Sequence, residues 1–287
     1  MGTSNAYGGP GGGTPLIPSW LEPDTPSAPP AAPADDAPPP PDGAPPPIMP
    51  ALPAAAPAGR FTAPRTSFTK FAASGGRDRV NLGRAVSGYV SGSSGGARQA
   101  ARRMGSSRGA TAGLVNFLAD AANRGVREAL RSLNLDALAG RPIEEVFIGL
   151  MEHICPQGGS VDEGIARDAF IETIAELAEH GVTDLDSLTA DQVQTVFELY
   201  ATHAIEARLC NDVGTKAITM PADAAEAQSV QDQLHDFIQR GVADALAGVG
   251  EALRDLTPDR TQALVDNVYQ SAFEILQTMG EGEAARR

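Results

Sequence analysis

The chain has 287 residues and a formal charge of −14, and its two cysteines cannot make a disulfide framework. No apolar run approaches the ~18 residues that a membrane helix needs, and no basic stretch followed by an apolar one marks a secretory leader. A cytoplasmic protein without a membrane role is therefore expected.

Proline and charge divide the chain into three parts. Of 23 prolines, 18 precede Arg60. Residues 1–59 carry five acids and no Lys or Arg, giving −5. Residues 60–110 carry ten basic residues against Asp78 alone, giving +9, and residues 111–287 carry twelve basic against thirty acidic, giving −18. Local potential of this kind guides partners more than the overall charge does.

Residues 1–59 are rich in Pro, Gly and Ala, so they cannot bury enough apolar surface to offset the entropy of ordering. They read as a disordered arm. From about Glu22 to Gly59 near-repeats of Pro and Ala predict polyproline II and a semi-rigid spacer. Residues 15–21 interrupt the arm with a compact apolar cluster. Leu16, Ile17, Trp20 and Leu21 there are expected to anchor a partner, because Trp and Leu give much contact area for few ordered residues.

Residues 60–110 form a basic segment broken by Gly and Ser, with a short helix expected over 79–90. Phe68 and Phe71 lie among basic residues, and Arg98, Arg102 and Arg103 close the segment. Two readings remain open. Basic residues interleaved with aromatics can bind single-stranded nucleic acid through phosphates and stacking. The same residues can instead dock onto an acidic surface, of which the chain carries its own. With no RNP motif, zinc ligands or helix-turn-helix, docking is the preferred reading.

From Thr111 the pattern is helical, and five to seven helices are expected in an all-α bundle. Leu114, Phe117, Leu118, Ala121 and Ala122 begin one face. Pro142 suits the first turn of a helix presenting Ile143, Val146, Phe147 and Leu150. Ser160 with Glu163, Thr189 with Gln192, and the variant Asp223 with Glu226 are capping pairs that open three further helices. Thr257-Pro258 starts the last helix, with Leu264, Val265, Val268, Ala272, Ile275, Leu276 and Met279 facing inward.

Catalysis finds no home in this pattern. His153 and Cys155 are two apart, which on a helix points them away from each other, and His203 to Cys210 is the other His/Cys grouping. Paired acids such as Glu172 with Glu176 read as solvated faces. Neither a Walker A sequence nor GxSxG is present. The expectation is a non-enzyme with no metal and no cofactor.

The start of the chain is more informative. Gly2 is small enough for Met1 to be removed in bacteria, which leaves a free glycine amine on a flexible arm. Ala6 stands where a myristoylation motif wants Ser or Thr. A free α-amine titrates at about 7.7–8.0, so part of it is a nucleophile at neutral pH.

Met1-Gly2-Thr3-Ser4, the Gly/Pro run, Pro15-Leu16-Ile17-Pro18-Ser19-Trp20, and the segment from Phe68 through Tyr89-Val90 to Arg102-Arg103-Met104-Gly105 resemble the QatB family. That family supplies the B component of the four-gene Qat anti-phage defence system of bacteria. The likeness covers the first twenty residues and roughly 60–110; beyond that it is one of helical character. It implies three partners: a QatA-like ATPase bound by the helical body, a QueC-like QatC and a TatD-like QatD nuclease. It also implies that Gly2 accepts a deazaguanine-type group from the QueC-like enzyme. The expectation is thus a non-catalytic defence-complex subunit, and the alternative is a nucleic-acid-binding accessory protein acting through residues 60–110.

Overall fold

The computed structural model describes residues 59–286, apart from 156–158, 180–184, 186–188, 215–217, 248 and 250–257. The expected arm and its apolar anchor lie outside the described residues. Everything described is helix, turn or loop, without a strand, so the fold is all-α.

Among the described residues ten α-helices run in chain order: α1 Thr62–Ala73, α2 Arg79–Gly88, α3 Ala97–Arg102, α4 Gly105–Arg124, α5 Val126–Ser132, α6 Ile143–Ile154, α7 Val161–Glu179, α8 Ala190–Val213, α9 Ala224–Leu246 and α10 Pro258–Ala284. Seven of the ten start at or beyond Gly105. A π-helical turn, Tyr89–Ser93, follows α2 directly, and a single 3-10 turn spans Asp136–Leu138.

Local chemistry sets the helix starts. Ser160 and Glu163 satisfy each other's backbone N–H at 2.9 and 3.2 Å and open α7. Thr189 and Gln192 do the same for α8, while the Asp223 side chain accepts from Glu226 N at 2.9 Å ahead of α9. Each pair meets two of the donors that a helix start leaves over, or one for Asp223. Asp78 caps α2 through Asn81 N, and the hydrogen bonds from Asn81 hold its carboxyl below the usual range. Gly125, at φ 89°, breaks α4 from α5, a backbone state that a residue with a Cβ rarely adopts.

The basic segment is part of this body. α1, α2, α3 and the first turn of α4 are built from it, and the boundary expected at residue 110 falls inside α4. Phe68, Phe71, Leu82, Val86, Tyr89, Val90 and Met104 join Phe170, Phe197, Phe237 and Phe273 in one continuous core. The last helix organises it: α10 packs against α2, α3, α4 and α9, and α8 packs against α4, α7 and α9. Residues expected to face inward on α10 do so, with Val265, Val268, Ala272 and Leu276 buried and Leu264, Ile275 and Met279 half-buried. Tyr269 and Phe273, not singled out by the pattern, are buried as well. Ala122, expected on the inner face of α4, is exposed. α4 packs against α5, α6, α7, α8 and α10, and Ala122 is not among the residues those contacts bury.

Three tyrosines are wholly interior, and each hydroxyl has a partner. Tyr89 donates to Asp212 at 2.9 Å, Tyr200 donates to the Ala166 carbonyl at 3.0 Å, and Tyr269 pairs with the Thr111 hydroxyl at 2.9 Å. A buried hydroxyl without such a partner would cost about 1–3 kcal/mol, so these contacts fix which helices lie side by side.

The α2–α10 crossing depends on two glycines. A Cβ on Gly83 would lie 2.5 Å from the Gly280 carbonyl, and one on Gly280 would lie 2.7 Å from the Gly83 carbonyl and 2.9 Å from Ser87 N. Both obstacles are backbone, so neither can rotate away. Gly280→Ala is therefore expected to lower stability by roughly 1–3 kcal/mol through forced separation of the helices, despite the better helix propensity of Ala. Gly282→Ala on the same helix meets nothing within 4 Å and is expected to be neutral or to stabilise by up to about 1 kcal/mol. Thermal unfolding of the two variants checks this: opposite signs are expected, and equal shifts would refute the crossing.

Candidate functional site: the basic segment on its acidic counterface

The positive charge of residues 60–110 meets acids of α7 to α10. At the centre lies Asp212, near the C-terminal end of α8, with a side chain only 7% exposed. Its Oδ2 accepts from Tyr89 Oη at 2.9 Å, from Arg103 Nη2 at 2.9 Å and from Arg208 Nε at 3.3 Å. Arg208 also reaches Asp162 Oδ1 at 3.1 Å, and the other oxygen of Asp162 accepts from Ser106 N at 2.8 Å. Two arginines and two carboxylates thus alternate between the basic segment, α7 and α8. Asp162 in addition receives a backbone N–H in the first turn of α4, where a negative charge suits the helix dipole.

Aromatic groups cover this network. Phe61 stacks on Tyr89 with ring centroids 5.9 Å apart, and Arg60 and Arg103 lie 4.6 and 5.6 Å from the Phe61 ring centre. Burial presses the pKa of Arg103 down, while the charge of Asp212 opposes that. Burial, then the charge of Asp212, pushes the Tyr89 phenol well above its ordinary value. The group is a neutral donor to a charged acceptor.

Further contacts fasten the same segment. Arg65 Nε donates to the Val213 carbonyl at 2.7 Å, a cation at the C-terminal end of α8. Arg79 meets Glu283 at 3.5 Å and Gln233 at 2.8 Å, and Arg108 meets Asp266 at 2.6 Å. Arg77 reaches Glu226 at 3.8 Å on the surface.

The residues expected to contact partners divide accordingly. Gly2, Leu16, Ile17, Trp20 and Leu21 lie outside the described residues. Phe68 and Phe71, on α1, are buried in the core at 4% and 0% exposure, because their side of α1 faces α8 and α9. Arg103 is bound to Asp212. Arg98 and Arg102 are exposed and, one helical turn apart on α3, share a face. The structure therefore leaves this pair, and not the phenylalanines, on the surface of the basic segment.

The two thiols are not poised as nucleophiles. Burial pushes Cys155 up to about 11 and Cys210 up to about 12, so neither is a thiolate at neutral pH. Among the described residues, one group has the makings of a metal site: His203, Glu206 and His235 bring a ligand atom each within 4.8 Å of one another. Sequence reasoning grouped His203 with Cys210 and missed it. The only local signal was the i,i+3 spacing of His203 and Glu206, since His235 comes from another helix.

Removing the Asp212 carboxylate would leave Arg103 and Arg208 facing each other and Tyr89 without its acceptor. Asp212→Ala is expected to destabilise by about 3 kcal/mol, the lower end of the range for breaking a buried pair because both arginines keep some solvent contact. Arg102→Glu, at an exposed position, is expected to stay within about ±0.5 kcal/mol. Urea midpoints of the two variants check the contrast, and an unchanged midpoint for Asp212→Ala would show the network to be dispensable.

No curated protein and no solved structure matches the chain. A family model, described as Qat anti-phage system associated protein QatB, matches residues 95–276. The match runs from just before α3 to the last turns of α10 and takes in Arg98, Arg102, Arg103, Asp212 and the acids that face them, whereas α1 and α2 precede it. It falls mostly on the helical region, where the resemblance read from the sequence was least specific. With well over half of its length matched, the chain belongs to the QatB family of the Qat anti-phage defence system.

Proposed function

We propose that this chain is a non-catalytic subunit of a Qat defence complex, in which the helical body binds the ATPase component and Gly2 is offered to the QueC-like component for modification. The observation that carries the reading is family membership over residues 95–276. The chemistry of the first residues supports it. Gly2 permits removal of Met1, and glycine has the widest backbone range of any residue, which suits entry into an enzyme's pocket. An α-amine with a pKa of about 7.7–8.0 is a far better nucleophile at neutral pH than a lysine. The TatD-like nuclease is a further partner of the same assembly.

Arg98 and Arg102 are the cations we assign to docking, because they are exposed on one face of α3 while Arg103 is engaged with Asp212. The internal pairing of Arg79, Arg103 and Arg108 also weighs against the alternative reading of a nucleic-acid grip. Cations already held by carboxylates release few counterions from a phosphate backbone.

Two measurements test the proposal. Intact mass of the chain co-expressed with its operon is expected to show an N-terminal adduct, absent from Gly2→Glu, which blocks Met1 removal. A bare glycine beside an active QueC-like partner would refute the modification. Co-purification with the ATPase is expected to weaken when Arg98 and Arg102 are both changed to Glu, with folding unchanged. Retained binding would move the docking surface elsewhere.

A further inference from the structure

Where α7, α8 and α9 meet, two imidazoles and two carboxylates converge from three helices. His203 and Glu206 lie three apart on α8 and so share a face. His235 comes from α9 and Glu176 from α7. Glu176 Oε2 is 2.7 Å from His203 Nε2 and 3.9 Å from His235 Nε2, and Glu206 Oε2 is 2.9 Å from His235 Nδ1. The two imidazole centroids are 5.1 Å apart. Of the four histidines in the chain, two meet here.

We propose that His203, Glu206 and His235, with Glu176 as the fourth donor, bind a divalent transition-metal ion of the zinc class. The donor set decides the class. Imidazole with carboxylate suits zinc and its neighbours, whereas magnesium and calcium want oxygen alone. The ligand atoms of His203, Glu206 and His235 already lie within 4.8 Å of one another. Rotation about the side-chain bonds closes that to the spacing set by metal–ligand bonds of about 2.0–2.2 Å. Metal sites in helical bundles are built this way, from carboxylates and histidines on facing helices with an i,i+3 pair on one of them.

The surroundings favour a cation. A cavity of about 500 Å³ opens onto His203, Glu206 and His235 and is also lined by Asp168, Glu172 and Asp232. The three added acids focus negative potential at the entrance and raise the local concentration of cations. The four donor side chains are between 13% and 22% exposed, and His203, Glu206 and His235 are reached from the cavity. In the metal-free chain the same residues satisfy one another as His–Glu pairs.

The full chain, stripped with a chelator, tests this without any partner, so the outcome is independent of the function proposed above. Titration with Co²⁺ alone is expected to give visible d–d bands saturating at one ion per chain and displaced by Zn²⁺. His203→Ala and His235→Ala are each expected to weaken binding by at least the roughly 10–100-fold seen when even an outer-shell residue is lost. Zn²⁺ should raise the melting temperature of the wild type in a concentration-dependent way and leave that of the variants unchanged. Should the variants fail to fold, histidine ring nitrogen shifts in the wild type decide: on adding Zn²⁺, His203 and His235 are expected to move and His153 to stay. Absence of saturable Co²⁺ and Zn²⁺ binding by the wild type, equal binding by both folded variants, or shifts at His153 instead would overturn the proposal.

Discussion

The carboxylate of Asp212 holds the two halves of this fold together. It receives the Tyr89 hydroxyl and the Arg103 guanidinium from one half and Arg208 from its own helix, at a place that is almost dry. In water each of these pairs would contribute little. Largely shielded, they repay the cost of burying charge only when all members are present and well aligned. That requirement is geometric, and it fixes how the π-helical turn after α2, the end of α3 and the end of α8 sit against one another. The extra residue that a π turn accommodates lets Tyr89 and Val90 both be buried before the chain turns at Gly95 and Gly96 into α3.

Charge asymmetry along the chain thereby acquires a structural meaning. A stretch at +9 and a stretch at −18 are halves of one body whose contact is electrostatic at its centre and apolar around it. Of the basic segment's cations, Lys70, Arg77, Arg84, Arg98 and Arg102 stay exposed after this pairing.

Much of the helical region was legible because its signals are local. Ser160 with Glu163 and Thr189 with Gln192 work over three residues, and the apolar stripe of α9 works over six turns, so both can be read without knowing any partner. The basic segment was less legible for the converse reason. Its helices are short, rich in Gly, Ser and Ala, and buried through small residues such as Ala85, Ala97, Ala100 and Ala101. Such residues become core only when a helix as remote as α10 covers them, and Phe68 and Phe71 were read as contact residues for the same reason. The cluster around His203 and His235 escaped because its ligands come from three helices, and pairing by sequence distance directed attention to Cys210 instead. The apolar anchor at residues 15–21 and Gly2 carry signals that a packed core neither strengthens nor weakens.

The crossing of Gly83 and Gly280 also sets an order of events on the ribosome. α2 is complete at Gly88, but the helix that covers it begins only at Pro258. At roughly 5–20 residues per second, some ten seconds or more of synthesis separate the two. Throughout that interval Leu82, Ala85, Val86 and Tyr89 have no α10 to close over them. Until then the nearest cover in the chain for α2 is α1, which packs against it.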